Sequence, residues 1–303
     1  MSKKLPNFLI VGATKCGTSS LHKYLDQHPD IFMSKVKEPR FISSQVTRFP
    51  LNGPRDNKVE AWYVKNYDDY VKLFEEADGQ RVIGESSADT LYFHKGTIPV
   101  IKQVVGEPKI IIMLRNPVKR AFSAYQHMVR DLREDLSFED GLEEEPNRIR
   151  NNWELIYHYK ACSLYYESVK AFLDNFRDVK IVLTEEQEKR PQQTLRSIFR
   201  FLDVDPNFDV NTEIRYNMSG KPKSRWLHEF FFEGNIARKI AQPIARTLFS
   251  HETRMRIAQK IQEKNLTRLT INPDTAEKLH KYFEEDIQKM EKLLNRDLSL
   301  WRK

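Results

Sequence analysis

A lysine lies between two glycines near the start of the chain, in a stretch whose residue types suit an anion. The apolar run at residues 8–11 predicts a buried strand, which ends at Gly12, and Gly17 follows after a short loop. Lys15 lies inside this loop. A strand, a glycine turn and a helix place backbone N–H groups at a helix N-terminus, where the dipole favours negative charge. We therefore predict that the loop binds a phosphate and holds an ammonium group over it.

Three hydroxyl residues, Thr18, Ser19 and Ser20, open the helix that is predicted after the loop. The spacing of the two glycines matches a nucleotide P-loop, but Thr18 stands where that motif needs a lysine. Walker-type NTPases hold Mg²⁺ through the Ser or Thr that follows this lysine. A P-loop kinase or NTPase is therefore an alternative that the sequence supports less well than a phosphate site without a metal.

The loop also contains Cys16, beside the predicted helix N-terminus, a position that favours a thiolate. The sequence indicates no His or Asn partner for nucleophilic catalysis. We expect Cys16 to be a small packing residue within the anion-binding loop.

A second anion site is predicted where a later strand ends. Residues 109–114 form an apolar run, and Arg115 follows it directly. Asn116 is a suitable N-cap, and Pro117 a suitable first residue, for the helix that comes next. Arg115 would then lie at the carboxyl end of a strand, where open α/β sheets bind ligands, with Ser123 about two turns into the helix. Arg115 by itself would be interpreted as a member of a surface ion pair. Together with the first loop, however, it gives two phosphate sites on neighbouring strand ends, which suit a nucleotide phosphorylated at its 5′ and 3′ positions.

The composition favours a folded protein that binds anions. The chain has 303 residues, of which 40% are hydrophobic and 11% aromatic, enough for a substantial core. Its net charge of +7 comes from 50 basic and 43 acidic residues, an excess too mild and too dispersed for a nucleic-acid-binding protein. The apolar stretches are short for a membrane span, and no signal peptide is visible. With two cysteines far apart in sequence, we expect a cytoplasmic protein.

Alternating strands and helices predict an α/β fold, a P-loop-like central parallel sheet flanked by helices on both faces. Besides the first strand, the predicted strands are 81–84, 109–114 and 179–183, and the predicted helices are 67–76, 118–130, 164–176, 192–202 and 279–294. We expect one domain over 1–303: a core at about 5–215, a basic loop at 217–225, and a helical region at 226–303 that packs on the core and is anchored by Trp301. The acidic segment 131–145 is interpreted as a solvated loop or ragged helix rather than a lid over a substrate.

The motifs together resemble those of sulfotransferases that use 3′-phosphoadenosine 5′-phosphosulfate (PAPS), in the branch of the heparan sulfate N- and 3-O-sulfotransferases and their bacterial relatives. The resemblance spans nearly the whole chain, and its two anion-site motifs are specific together. The stretches that carry it are Gly12-Ala-Thr-Lys-Cys-Gly-Thr-Ser-Ser20, Lys37-Glu-Pro-Arg-Phe41, Leu114-Arg-Asn-Pro-Val-Lys-Arg-Ala-Phe-Ser123, Asn217-Met-Ser-Gly-Lys-Pro-Lys223 and Asp297-Leu-Ser-Leu-Trp301.

The resemblance assigns the nucleotide donor to two sets of residues. The first loop would hold the 5′-phosphate, with Lys15 beside the leaving oxygen as catalytic cation, and Arg115 and Ser123 would hold the 3′-phosphate. The basic loop at 217–225 would fold over the nucleotide, although a surface turn without a binding role is an equal alternative. The residues assigned to the donor are thus Lys15, Cys16, Gly17, Thr18, Ser19, Ser20, Arg115, Ser123, Gly220, Lys221 and Lys223. PAPS would be the co-substrate, and no metal is expected.

The resemblance also implies an acceptor that bears a hydroxyl, most simply a carbohydrate or another small molecule, with an amine as an alternative. Glu38 matches the family's catalytic base. His127 matches a position that faces the acceptor, although a structural histidine is equally compatible. Arg40 replaces the family's usual histidine, and Ser86 stands where the heparan enzymes often have lysine, which disfavours a highly sulfated polymer. A protein that only binds nucleic acid or sulfated glycans is a further alternative.

Overall fold

The computed structural model describes residues 4–212, 221–222, 266–267 and 269–302. Its main sheet contains β1 (Phe8–Gly12), β2 (Ile31–Met33), β3 (Val82–Ser86), β4 (Lys109–Leu114) and β5 (Val179–Leu183), and β6 (Lys221–Pro222) pairs with β7 (Leu266–Thr267). The described α-helices are α1 (Thr18–Leu25), α2 (Phe41–Ser44), α3 (Asp56–Glu60), α4 (Tyr67–Lys72), α5 (His94–Val104), α6 (Pro117–Arg130), α7 (Phe138–Arg150), α8 (Tyr166–Asn175), α9 (Thr184–Lys189), α10 (Pro191–Phe201) and α11 (Pro273–Leu294).

The main sheet is parallel, with the strand order β2-β3-β1-β4-β5. Its central strand β1 is buried along its whole length, as expected for a parallel strand covered on both faces. On one face, His28 at the end of the α1 segment packs its ring 4.7 Å from that of Phe199 on α10. Helices α5 and α8 pack against each other on the opposite face. The predicted fold class is confirmed.

The strand order places the two predicted anion sites side by side. After β1 the chain turns into α1 and proceeds toward the β2 edge, whereas after β4 it turns into α6 and proceeds toward β5. Because right-handed crossovers in opposite directions leave the sheet on opposite faces, a crevice opens between the carboxyl ends of β1 and β4. Lys15 follows β1 and Arg115 follows β4, so both lie at this crevice.

Several short elements and one interrupted helix were not predicted, and β2 and α5 illustrate two different physical reasons. Strand β2 contains three residues, too few for an apolar pattern to stand out. Helix α5 contains Gly96 and Pro99, which normally argue against a helix interior, yet Thr97, Ile98 and Ile101 are buried against the sheet. Tertiary packing therefore overrides the local preference.

The interpretation of residues 131–145 as a solvated loop or ragged helix was only partly right: residues 131–137 form a loop, but two of the acidic residues are buried. Helix α7 begins after Ser137, whose hydroxyl caps the Asp140 N–H at 3.1 Å. Glu134 is buried and pairs with the buried guanidinium of Arg148, with 2.6 Å between Nη1 and Oε2. Glu145 is buried too, because its carboxylate accepts hydrogen bonds from backbone N–H groups ahead of α8. A sequence pattern shows charge but not burial, so these acidic residues looked exposed.

The end of the described chain is anchored beside the second anion site. Trp301 is buried, and its carbonyl accepts a hydrogen bond of 3.0 Å from the Asn116 side chain. Asn116 also caps α6 through Lys119 N–H at 3.1 Å, with Pro117 as the first helical residue, as predicted. Among the described residues, no helix combines the length and the apolar composition needed to cross a bilayer.

Candidate active site

The first loop exposes a set of unused hydrogen-bond donors. Gly17 precedes α1 with φ +88, a left-handed conformation that favours glycine. A Cβ at Gly12 would lie 2.5 Å from Leu91 Cβ, so any side chain there would displace the loop. Among the described residues, no protein group accepts from the backbone N–H groups of Lys15, Thr18 or Ser19. These donors at a helix N-terminus suit the oxygens of a phosphate.

Two side chains from distant elements brace this loop. Thr184 Oγ1, at the end of β5, lies 2.7 Å from the Cys16 carbonyl oxygen and 3.0 Å from that of Leu114. Arg120, on α6, donates from Nε to the Thr14 carbonyl oxygen at 3.1 Å and is completely buried. Sequence reasoning missed both residues. The sequence did place Arg120 three residues before Ser123, inside the second anion motif, but not its contact with the loop.

Cys16 is not the thiolate that its position beside a helix N-terminus would favour. The side chain is completely buried, with Sγ 3.7 Å from the Tyr165 hydroxyl. Burial raises the pKa of the Cys16 thiol to about 11, and the nearby Arg120 charge only partly opposes this. The predicted packing role agrees with this burial. A contribution of Cys16 to nucleotide binding would therefore come through its backbone.

Lys15 lies in a cavity of about 220 Å³ that it shares with Glu38 and His127. Its ammonium group forms no ion pair with a carboxylate among the described residues. Burial lowers the pKa of Lys15 to about 7, and the Arg130 charge acts in the same direction, against the opposing charges of Asp131 and Glu38. The Lys15 side chain is therefore suited to an anionic ligand, because the ligand's negative charge would raise the Lys15 pKa and restore the charged ammonium form.

The Lys15 pKa of about 7 leads to a prediction about pH. The free chain loses the charged form of Lys15 as pH rises through this value, so kcat/KM for the donor is expected to fall above about pH 7. The bound donor raises the Lys15 pKa, so kcat should persist to higher pH. Initial rates from about pH 6 to 9 measure both parameters. Lys15→Arg, which stays charged, should flatten the kcat/KM profile; a flat wild-type profile would contradict the assignment.

Glu38 is held between two cations at the edge of the same cavity. Lys37 Nζ lies 2.5 Å from Glu38 Oε1, and Arg40 Nη2 lies 3.0 Å from Glu38 Oε2. Burial would raise the pKa of Glu38, but Lys37 and Arg40 outweigh it and hold this pKa well below its usual range. Glu38 is therefore a carboxylate at any physiological pH.

Behind Glu38, two arginines share one buried carboxylate. Glu154 Oε1 lies 3.0 Å from Arg40 Nη1, and Glu154 Oε2 lies 2.8 Å from Arg133 Nη2. Arg133 also pairs with buried Asp56, and Arg40 donates to the Tyr63 hydroxyl at 3.2 Å. Sequence reasoning missed Arg133 and Glu154. They are far from the motifs in sequence and join the cavity only through the fold.

His127 lines the cavity that also holds Lys15 and Glu38. Its Nδ1 accepts from Arg130 Nη2 at 2.7 Å, and its Nε2 lies 3.4 Å from Asp131 Oδ2. Burial, followed by the Lys15 charge, keeps the pKa of His127 well below its usual value. These partners assign the proton to Nε2 of a neutral ring, so both ring nitrogens are already engaged. A catalytic role for His127 remains a prediction.

The second predicted anion site has free donors, but it does not join the described cavity. Arg115 is half-buried and forms no ion pair with a carboxylate among the described residues; its Nη1 lies 3.5 Å from the Lys15 carbonyl oxygen. Ser123 is 8% exposed, and its hydroxyl has no partner within the same part of the chain. Lys221 contributes backbone to β6, which lies beside α6. The predictions for Gly220 and Lys223 fall outside the described residues.

Arg115→Ala is expected to weaken binding of the product 3′,5′-bisphosphoadenosine (PAP) by more than about tenfold, because it removes a guanidinium that pairs with no carboxylate within the described part of the chain. Arg115→Lys should recover only part of the affinity, since an ammonium lacks the bidentate fork. Isothermal titration calorimetry measures both variants. Arg296→Ala, which removes an exposed partner of Glu186, is the control and should bind as wild type. Unchanged affinity in Arg115→Ala would remove this second site.

The described residues contain no group of three or more His, Cys, Asp or Glu side chains arranged to hold a metal ion. On the side of the first loop, the donors that line the cavity are instead backbone N–H groups, hydroxyls and one ammonium group. That set fits the phosphosulfate end of PAPS.

Comparison with known proteins identifies the family. A model of the sulfotransferase family matches residues 6–209. The crystal structure of a sulfotransferase from Alicyclobacillus acidocaldarius has 35% sequence identity and a TM-score of 0.78, and the match covers 99% of this chain and 100% of that one.

Two curated relatives are larger proteins. Human carbohydrate sulfotransferase 15 is 26% identical over 254 residues, covering 67% of this chain and 44% of the relative. A bifunctional heparan sulfate N-deacetylase/N-sulfotransferase 1 of Caenorhabditis elegans is 26% identical over 233 residues, covering 72% of this chain and 24% of the relative. The chain thus spans less than half the length of these relatives. These matches support a sulfotransferase and give no better support to the alternative of a P-loop kinase or NTPase. The chain belongs to the sulfotransferase family, whose members take a sulfuryl group from PAPS.

Proposed function

We propose that this chain transfers the sulfuryl group of PAPS to a hydroxyl group of a carbohydrate or similar small molecule and releases PAP. The observation that carries this proposal is the position of Lys15. Its ammonium group, which pairs with no carboxylate among the described residues, shares one cavity with the charged carboxylate of Glu38 and with the N–H donors of the loop. One side of the cavity therefore suits an anionic donor and the other a hydroxyl group.

The residues divide the proposed reaction between them. The acceptor oxygen forms a bond to sulfur while the bond from sulfur to the bridging oxygen of the donor breaks, and the electron pair stays on that oxygen. Lys15 and the loop N–H groups stabilise this developing charge. Glu38 accepts the hydroxyl proton and passes it to solvent. A weakly basic carboxylate suffices when the proton leaves late, after the sulfuryl group has largely transferred.

The carbohydrate part of the proposal is supported by two of the relatives, a carbohydrate sulfotransferase and a heparan sulfate N-deacetylase/N-sulfotransferase. We also propose that residues 1–303 form one domain and that the protein works in the cytoplasm. In support of the latter, both cysteines are unpaired and buried.

The direct test is transfer of labelled sulfate from PAPS to a panel of glycans, glycolipids and small alcohols, analysed by mass spectrometry. We expect sulfated product and an equal amount of PAP, with no loss of rate in EDTA. Nucleotide phosphoryl transfer, by contrast, needs Mg²⁺ and would stop. Phosphorylated product from ATP, with no transfer from PAPS, would refute the proposal.

A further inference from the structure

The cations of the cavity region fall into two classes. On the donor side, Lys15 and Arg115 have no carboxylate partner among the described residues. On the opposite side, each of Lys37, Arg40 and Arg133 forms an ion pair with a carboxylate. The available positive charge is therefore concentrated where PAPS would bind and is neutralised where the acceptor would bind.

Glu154 is the residue that neutralises the acceptor side. It is 3% exposed, and its two oxygens contact Arg40 at 3.0 Å and Arg133 at 2.8 Å. Its backbone N–H donates to Asp56 Oδ2 at 2.8 Å, which ties the segment to the second partner of Arg133. Both guanidinium groups are thus fixed against carboxylates and are not free to grip a ligand.

An anionic acceptor would bind unfavourably on this side of the cavity. Glu38 and Glu154 both line the cavity and oppose negative charge, while Arg40 and Arg133, which line it too, can bind a new anion only by giving up contacts of about 3 Å that they already make. An uncharged hydroxyl needs no such exchange, because it can donate to Glu38 with the ion pairs intact. Repulsion of the wrong ligand is a common source of specificity.

We propose that the acceptor side of this cavity selects uncharged, hydroxyl-bearing compounds over acceptors with a sulfate or carboxylate beside the reacting hydroxyl, and that Glu154 sets this selection. The inference rests on the proposed function, since it names the acceptor class of the same site. Glu154 is a positioning residue here, because it acts through Arg40 and Arg133.

The first test compares a neutral N-acetylglucosamine tetrasaccharide with the same tetrasaccharide carrying one sulfate, using the full chain and PAPS. We expect kcat/KM of wild type to be at least about tenfold higher for the neutral compound, which corresponds to about 1.4 kcal/mol. Glu154→Gln releases charge on two arginines and should narrow or reverse this ratio. Glu277→Gln, which removes an exposed ion pair with Lys281, should leave it unchanged. Preference of wild type for the sulfated compound would overturn the inference.

The second test needs no acceptor. With the chain saturated by PAP, inorganic sulfate is titrated by calorimetry. We expect no saturable sulfate binding to wild type below about 10 mM, and millimolar binding to Glu154→Gln. Saturable binding to the wild-type complex that Glu154→Gln does not strengthen would refute the inference. Exclusion of sulfate by wild type, with no sulfuryl transfer to any compound of the panel, would instead refute the proposed function and support the charge selection.

Discussion

Lys15→Met is expected to lower kcat by about a hundredfold to a thousandfold, because it removes the cation that would stabilise charge on the leaving oxygen. The loss should appear mainly in kcat, since loop N–H groups and Arg115 would still bind the nucleotide. PAP affinity, measured by calorimetry, should change by less than about tenfold. Steady-state rates of labelled sulfate transfer measure kcat.

Lys119→Met is the matched control for this variant. Lys119 is an exposed lysine on α6, so the same substitution there should leave kcat and PAP affinity near wild type. A kcat for Lys15→Met within about threefold of wild type would contradict the catalytic role. A large loss of PAP affinity with unchanged kcat would show that Lys15 serves only to bind the 5′-phosphate.

Glu38→Gln is expected to lower kcat by about a hundredfold or more, with PAP affinity unchanged. The amide has nearly the same shape as the carboxylate but cannot accept the acceptor's proton. Because Lys37 and Arg40 hold the pKa of Glu38 far below its usual range, the carboxylate stays charged as pH falls. We therefore expect no loss of kcat from this group between about pH 7 and 5.

The control for Glu38→Gln is Glu186→Gln, a change at a more exposed carboxylate that pairs with Arg296. It should retain wild-type turnover. If Glu38→Gln also turned over normally, the base would lie elsewhere, and His127 would be the next residue to test. The contacts of its ring with Arg130 and Asp131 make that outcome less compatible with the structure.

The sequence predicted those parts of the site whose backbone conformation is set by residues close together in the chain. The glycine loop, the cap at Asn116 and the proline after it constrain backbone conformation within a few residues, so their pattern indicates their structure. The long apolar runs of β4 and β5 were predicted at their observed bounds for the same reason. Short or interrupted elements such as β2 and α5 were not, because β2 is stabilised by pairing with β3 and α5 by packing against other helices.

The sequence by itself determined the α/β fold, the anion-binding loop with Lys15, and the resemblance that points to PAPS. Only the tertiary structure decided which charged side chains of the described residues form ion pairs and which do not. Arg120 reaches Thr14 across 106 positions of the chain, and Glu154 reaches Arg40 across 114. Burial and pairing depend on such distant contacts, and the same arginine is a solvated surface group without them. The donor could therefore be inferred from motifs, whereas the character proposed for the acceptor site depends on the packing of residues that no motif connects.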